Sequence, residues 1–132
     1  MTLIDTNVPM YLVGAEHPNK MAAIRLLERA ATNRERLVTD AEVFQEILHR
    51  YVAIDRRDAI EPTFAVLNGL VDEVFPITAT VVDRAKTVVL GYRGLTARDA
   101  IHVATMQEHG VTRIMSFDRG FDQISHLTRV SS

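Results

Sequence analysis

Two aspartates of this 132-residue chain stand just after short apolar segments. Asp5 follows residues 2–4, and Asp118 follows residues 113–117. A short apolar run bounded by polar residues is typical of a buried strand, and parallel strands end at the edge where α/β proteins bind ligands. If the two strands are neighbours, both carboxylates enter one crevice. Taken singly, each aspartate is also explained as the N-cap of the following helix.

A third aspartate, Asp99, belongs to a predicted helix. It shares a helical stripe with His102, Val103 and Met106, at spacings of three, four and seven residues. A carboxylate at the head of a partly apolar stripe costs several kcal/mol unless it is paired or bound to a metal. The alternative is local, because Thr96 lies three residues earlier and forms a capping box with Asp99.

Glu46 is the fourth candidate, and spacing alone argues least for it. It lies on the side of its predicted helix away from Phe44 and Ile47, where the simplest interpretation is a solvated glutamate paired with Arg50. Glu42 lies on the same polar face one turn earlier. The pattern does not distinguish between the two glutamates.

Several carboxylates in one crevice repel one another, and a divalent cation relieves that repulsion. A site made only of oxygen ligands suits Mg²⁺ or Mn²⁺ and is a poor match to zinc, which prefers nitrogen or sulfur. The five histidines have no metal-binding spacing, and the absence of cysteine excludes a thiolate site or a disulfide. The acids therefore predict a magnesium site rather than a zinc site.

Strands and helices alternate along the chain, which predicts a parallel sheet with right-handed crossovers. We predict an α/β fold, a three-layer α/β/α sandwich with a central parallel sheet of four to five strands, in a single domain over residues 1–132. The predicted strands end near Asp5 and cover 37–39, 74–77, 113–117 and 127–130. The predicted helices cover 6–13, 19–31, 41–52, 60–71, 80–90 and 96–109, with a helical turn at 120–124.

Local signals predict how these elements begin and which faces they bury. Asp40 is expected to cap the third helix, and Thr80, with Asp83 three residues later, resembles a capping box for the fifth. Pro76 places the third strand at a sheet edge, and Gly110 ends the last long helix. The apolar stripe predicted for the third helix is Phe44, Ile47, Leu48, Tyr51 and Val52.

Composition is that of an ordinary soluble globular domain, with 47% hydrophobic and 24% charged residues. No signal peptide and no run of transmembrane length is evident, so we expect a cytoplasmic protein with no membrane association. The net charge of −2 argues at first against a nucleic-acid partner. Taking four of the 17 acids into a metal site leaves 13 against 15 basic residues, so the remaining surface would be mildly basic.

Four segments together resemble PIN domains, and the chain looks most like a VapC-type ribonuclease toxin of a bacterial toxin–antitoxin pair. The segments are Leu3–Asn7, Val43–Glu46, Leu95–Ala104 and Met115–Asp122. The resemblance covers essentially the whole chain. Carried over residue by residue, the family's acidic cluster falls on Asp5, Glu46, Asp99 and Asp118.

The resemblance also ranks the remaining candidates. It prefers Glu46 to Glu42 because residues 43–46 look like the family's apolar-x-x-Glu element. Asp122 is a candidate fifth acid, and Ser116 matches the family's hydroxyl before the last aspartate.

The resemblance implies metal-dependent hydrolysis of an RNA phosphodiester, with Mg²⁺ as cofactor and Mn²⁺ as a substitute. One cation held by Asp5 and Asp99 would orient and activate a water, as in other metal-dependent hydrolases. A second, towards Glu46 and Asp118, would stabilise the departing 3′ oxygen. The products would carry 5′-phosphate and 3′-hydroxyl ends.

The same resemblance implies a homodimer and a cognate antitoxin whose tail fills the active-site groove. Candidate contacts for the antitoxin are the apolar residues Met10, Tyr11, Leu12 and Tyr51, which core packing explains equally well. Candidate contacts for RNA phosphates are Arg93, Arg98 and Arg119, for which solvated surface charge is the alternative.

Other protein classes fit the sequence less well. A haloacid dehalogenase-type phosphatase needs a second Asp two residues after the first, where this chain has Asn7, and a Rossmann nucleotide binder needs glycines that are missing. A response-regulator receiver domain needs a pair of acids near its start, which is also missing. The alternative from a different functional class is a non-catalytic PIN-fold module that acts only through protein and nucleic-acid complexes.

Overall fold

The computed structural model describes residues 1–132 and contains five strands and six α-helices. The first half comprises β1 (Thr2–Ile4), α1 (Asn7–Val13), α2 (Pro18–Thr32), β2 (Leu37–Asp40), α3 (Ala41–Ala53) and α4 (Ile60–Leu70). The second half comprises β3 (Glu73–Phe75), α5 (Ala79–Gly91), α6 (Ala97–His109), β4 (Arg113–Met115) and β5 (Thr128–Val130). Two short 3₁₀ helices cover Arg57–Ala59 and Arg119–Gln123.

All five strands form one parallel sheet in the order β3-β2-β1-β4-β5. Successive residues of a strand face opposite sides, so Leu3 belongs to the core under α5 and α6, while Ile4 belongs to the core under α1 to α4. Helices therefore cover both faces of the sheet. The predicted three-layer α/β/α architecture is confirmed, and β3 lies at an edge as Pro76 predicted.

β1 lies in the middle of the sheet, with β4 as its neighbour. Ile4 pairs with Met115, so the segments that follow these residues leave the sheet side by side at its carboxyl edge. β4 ends at Met115, two residues before the predicted end. Asp118 therefore lies at the end of a short connection after the strand, rather than directly on it.

The predicted apolar stripe of α3 is partly wrong. Leu48 and Val52 are 42% and 46% exposed, whereas Val43, Ile47 and Tyr51 are buried. The buried positions repeat every four residues. The core-facing stripe therefore contains Val43 in addition to Ile47 and Tyr51, and it excludes Leu48 and Val52.

The predicted capping box of α5 is also wrong. Thr78, not Thr80, is the N-cap, and its hydroxyl accepts a hydrogen bond from the Val81 backbone N–H at 3.2 Å. Thr80 lies inside the first turn, and Asp83 pairs with Lys86 on the surface. The extended backbone of Thr78 is what a capping residue requires, and spacing alone could not distinguish it from Thr80.

α6 is the most deeply buried helix. Seven of its residues are buried, at positions 99, 100 and 102–106, and Gly110 ends it with a left-handed backbone (φ 68°) as predicted. Because neighbours surround the helix on most sides, its polar residues must find partners inside the protein. None of the helices is both long and apolar enough to cross a membrane.

Candidate active site

Asp5 is held rigidly at the end of β1. Its side chain is buried, Oδ1 accepts a hydrogen bond from the Thr6 backbone N–H at 2.8 Å, and Oδ2 accepts one from the Ser116 hydroxyl at 2.6 Å. Burial raises the pKa of Asp5, an effect that the positive charge of His102 and these two hydrogen bonds only partly offset. The N-cap position of α1 is Thr6, not Asp5, so the predicted capping role does not account for the position of Asp5.

Ser116 joins the two aspartates that follow the central strands. Its hydroxyl donates to Asp5 and accepts from the Asp118 backbone N–H at 3.0 Å, while the Asn7 side-chain amide approaches it at 3.4 Å. Asp118 is exposed and accepts a hydrogen bond from the Gly120 N–H at 2.8 Å. It therefore caps the 3₁₀ helix, as the local interpretation predicted, and it is also connected to Asp5 through the Ser116 hydroxyl.

Asp99 approaches from the first turn of α6. Its backbone N–H donates to the Thr96 hydroxyl at 3.2 Å, so Thr96 is the predicted cap. Burial makes the largest contribution, and together with the negative charges of Asp5 and Asp118 it raises the pKa of Asp99 to about 7. The carboxylates of Asp5 and Asp118 are thus both close enough to repel that of Asp99.

His102, one turn after Asp99, is completely buried between carboxylates. Its Nδ1 lies 2.7 Å from Asp40 Oδ2, its Nε2 lies 3.2 Å from Glu46 Oε1, and the same Nε2 lies 3.7 Å from Asp5 Oδ1. Both ring nitrogens thus face carboxylate oxygens, which accept hydrogen bonds, so this environment favours the doubly protonated ring. Burial lowers the pKa of His102, but the charges and hydrogen bonds of Asp40, Glu46 and Asp5 together raise it well above its ordinary value.

Asp40 combines two roles at the end of β2. Oδ1 accepts a hydrogen bond from the Val43 backbone N–H at 3.0 Å, which makes Asp40 the predicted N-cap of α3, and Oδ2 contacts His102. Sequence reasoning found only the first role and gave His102 no role in the site. The one available signal for His102 was its i, i+3 spacing from Asp99.

Glu46 is half-buried and lies beside His102, not in solution beside Arg50. The two other acids considered for the cluster lie elsewhere. Glu42 is half-buried and lines neither the cleft nor its side depression. Asp122 pairs with Arg129 at 2.8 Å on the surface, and this pairing lowers its pKa.

A cleft of about 480 Å³ runs over the acids. Its lining includes all four predicted site residues, namely Asp5, Glu46, Asp99 and Asp118. Two arginines, Arg50 and Arg56, and the apolar side chains of Met10, Tyr11 and Tyr51 also line it. Of the arginines predicted from sequence, only Arg98 lines a space beside the acids, an adjoining depression of about 360 Å³ that it shares with Glu46, Asp99 and Asp118. Arg93, Arg119 and Leu12 line neither space.

The donor set fits a hard divalent cation. The ring of His102 lies within reach of Glu46 and Asp99, but both of its nitrogens are directed to carboxylates. The donors left for a metal are therefore carboxylate oxygens, the ligands of Mg²⁺ and Mn²⁺. After burial, the negative charges of Asp5 and Asp118 are the next causes of the raised pKa of Asp99, and a bound cation would relieve that repulsion.

This fold, with acids converging at the carboxyl edge, is that of the PIN domain, whose family model matches residues 2–127. Over 131 residues the chain is 58% identical to a VapC ribonuclease of Mycobacterium bovis and to ribonuclease VapC13 of Mycobacterium tuberculosis, covering 99% of this chain and 100% of each relative. Ribonuclease VapC23 of Mycobacterium tuberculosis is 42% identical over 118 residues, or 89% of this chain and 93% of the relative. The chain therefore belongs to the PIN-domain family and, within it, to the VapC ribonucleases.

Solved structures support the same fold. VapC20 of Mycobacterium tuberculosis, described as a Sarcin-Ricin loop cleaving toxin, superposes with a TM-score of 0.82 over 100% of both chains at 21% identity. A toxin–antitoxin complex from Klebsiella pneumoniae gives 0.72 at 19% identity, covering 97% of this chain and 96% of the other. At these identities the likeness concerns the fold alone.

Proposed function

We propose that this protein is the toxin of a toxin–antitoxin pair and that it hydrolyses RNA phosphodiester bonds with Mg²⁺ held by its acidic cluster. The observation that carries the proposal is the meeting of Asp5, Glu46, Asp99 and Asp118 in one open cleft of a VapC ribonuclease fold. An acidic cleft repels an RNA backbone unless a cation lies between them.

Asp5, Asp99, Asp118 and Glu46 would hold the metal, because all four carboxylates line one cleft and the negative charges of Asp5 and Asp118 act on Asp99. When bound, Mg²⁺ lowers the pKa of a coordinated water and polarises the phosphate. Mn²⁺ has the same ligand preference and would substitute.

The chain's own residues prepare this site before substrate arrives. Ser116 and the Thr6 backbone fix both oxygens of Asp5, so this carboxylate needs no reorganisation on binding. The hydrogen bond from Gly120 fixes Asp118 in the same way. The arginines at the rim, Arg50 and Arg98, would hold phosphates on either side of the one that is cleaved.

The proposed protein partner is a cognate antitoxin. Structural neighbours from Klebsiella pneumoniae, Rickettsia felis and Haemophilus influenzae were solved as toxin–antitoxin or VapBC complexes. The apolar wall formed by Met10, Tyr11 and Tyr51 offers an antitoxin segment a surface beside the acids. The homodimer implied by the family resemblance remains a prediction.

The test is cleavage of total cellular RNA and bulk tRNA by the antitoxin-free protein in Mg²⁺, in Mn²⁺ and in EDTA. We expect discrete cleavage that requires a metal and disappears in Asp5→Asn and Asp99→Asn variants that remain folded by circular dichroism. Asp122→Asn is the matched control, because this aspartate lies outside the cleft and should retain activity. Cleavage that survives EDTA or both site variants would refute the proposal, whereas a binding-only module would cleave nothing.

A further inference from the structure

A chain of buried polar contacts runs behind the cleft. It starts at the Val43 backbone N–H, passes through Asp40 to His102 Nδ1, and continues from His102 Nε2 to Glu46. Asp40 and His102 are both completely buried, and they come from β2 and α6. The chain thus connects one end of the sheet to two helices.

Glu46 depends on this chain for its position. The contact with His102 at 3.2 Å is the only hydrogen bond or ion pair that the Glu46 side chain makes within the protein. A glutamate at a cleft wall otherwise samples several rotamers, because its long side chain has little else to hold it. Asp40, in contrast, has two fixed partners and is the rigid end of the chain.

We propose that His102, anchored by Asp40, is a positioning residue that sets the Glu46 carboxylate in the cleft for RNA cleavage. The role rests on the function proposed above, since it gives Glu46 a task in the same site. His102 acts through Glu46, because its Nε2 lies 3.7 Å from Asp5 Oδ1, beyond hydrogen-bonding distance, and Asp5 is held by Ser116 and the Thr6 backbone instead. The buried ring, fixed by Asp40, takes the place of the mobile, solvated lysine or arginine that a surface glutamate would pair with.

Two substitutions separate the two contacts of the ring. The amide nitrogen of glutamine lies near the position of Nε2, so His102→Gln retains a donor towards Glu46. The amide nitrogen of asparagine lies near Nδ1, so His102→Asn retains the donor towards Asp40 and loses the one towards Glu46. The measurements are Mn²⁺ affinity by isothermal titration calorimetry, and kcat and KM for cleavage of bulk tRNA in Mg²⁺.

If the role is positioning, His102→Asn loses about 10- to 100-fold in kcat or in Mn²⁺ affinity, the range typical of residues that orient metal ligands. KM should change little, and His102→Gln should retain most of the activity. His49→Asn is the control, because this histidine is exposed on α3. Equal losses in the asparagine and glutamine variants, both folded by circular dichroism, would overturn the proposal.

A double-mutant cycle tests whether His102 acts through Glu46. In a Glu46→Ala background, we expect His102→Asn to cause no further loss, because the carboxylate that it positions is gone. Additive losses would show that His102 acts independently of Glu46 and would contradict the proposal.

A third measurement needs neither RNA nor metal. In ¹⁵N-histidine NMR spectra of the metal-free protein, both ring N–H groups of His102 should be protected from exchange with solvent. Glu46→Ala should release the Nε2–H and leave the Nδ1–H protected by Asp40. Equal protection of Nε2–H in both proteins would refute the contact. If the wild type neither binds Mn²⁺ nor cleaves RNA, the proposed function fails, and this spectrum still decides whether His102 holds Glu46.

Discussion

We expect Asp99→Asn to stabilise the metal-free protein while removing its activity. Asp99 is ionised at neutral pH only at a cost, because its folded pKa is about 7 against 3.8 for an ordinary aspartate. A difference of about three pH units corresponds to at most about 4 kcal/mol at neutral pH and above. Water in the open cleft screens much of the repulsion, so we expect on the order of 1–2 kcal/mol.

The pH dependence has a definite sign. A carboxyl group whose folded pKa is raised carries no penalty when it is protonated, and the penalty grows as pH rises from the unfolded to the folded pKa. The wild type and Asp99→Asn should therefore have similar stability near pH 4, separate between pH 4 and pH 7, and keep a constant difference above. For a domain of this size, the difference at pH 8 amounts to roughly 4–8 °C in melting temperature.

The assay is thermal unfolding in EDTA and in Mg²⁺ across this pH range. Mg²⁺ should raise the melting temperature of the wild type by mass action and that of Asp99→Asn much less, so the difference between them shrinks or reverses. Asp122→Asn is the control of opposite sign, because Arg129 lowers the pKa of Asp122 and the variant should gain no stability. A variant no more stable than the wild type in EDTA at pH 8, or a difference independent of pH, would refute the electrostatic argument.

Three further predictions concern other parts of the molecule. Ser116→Ala removes the hydroxyl shared by the two strand ends, and kcat for RNA cleavage should fall about 10- to 100-fold in a folded protein. Arg50→Gln and Arg98→Gln should each weaken RNA binding in filter-binding assays and leave kcat unchanged. Each should also reduce the slope of log affinity against log salt concentration by about one. Gly110→Ala should destabilise the fold by about 1 kcal/mol because its backbone is left-handed, whereas Gly69→Ala, inside α4 with open space around it, should stabilise it by a similar amount in urea titrations.

Local sequence signals predicted several features correctly. Asp40 caps α3, Thr96 caps α6, and Gly110 ends α6. These features depend on residues only a few positions apart, so a short stretch of sequence contains all the necessary information. The predictions for the apolar stripe of α3 and the cap of α5 were wrong. In both cases two nearby positions carry side chains of the same chemical type, as Thr78 and Thr80 do.

The sequence by itself determined the alternation of strands and helices, and the family resemblance then indicated four acids, Asp5, Glu46, Asp99 and Asp118. Only the tertiary structure decided that β4 lies beside β1, which lets Ser116 connect two aspartates from opposite ends of the chain. It also directed Glu46 towards His102. Periodicity shows which face of a helix or strand is buried, but not which residues of other elements it contacts. The role of a buried histidine such as His102 depends on the partners that the fold places beside it, here Asp40 and Glu46.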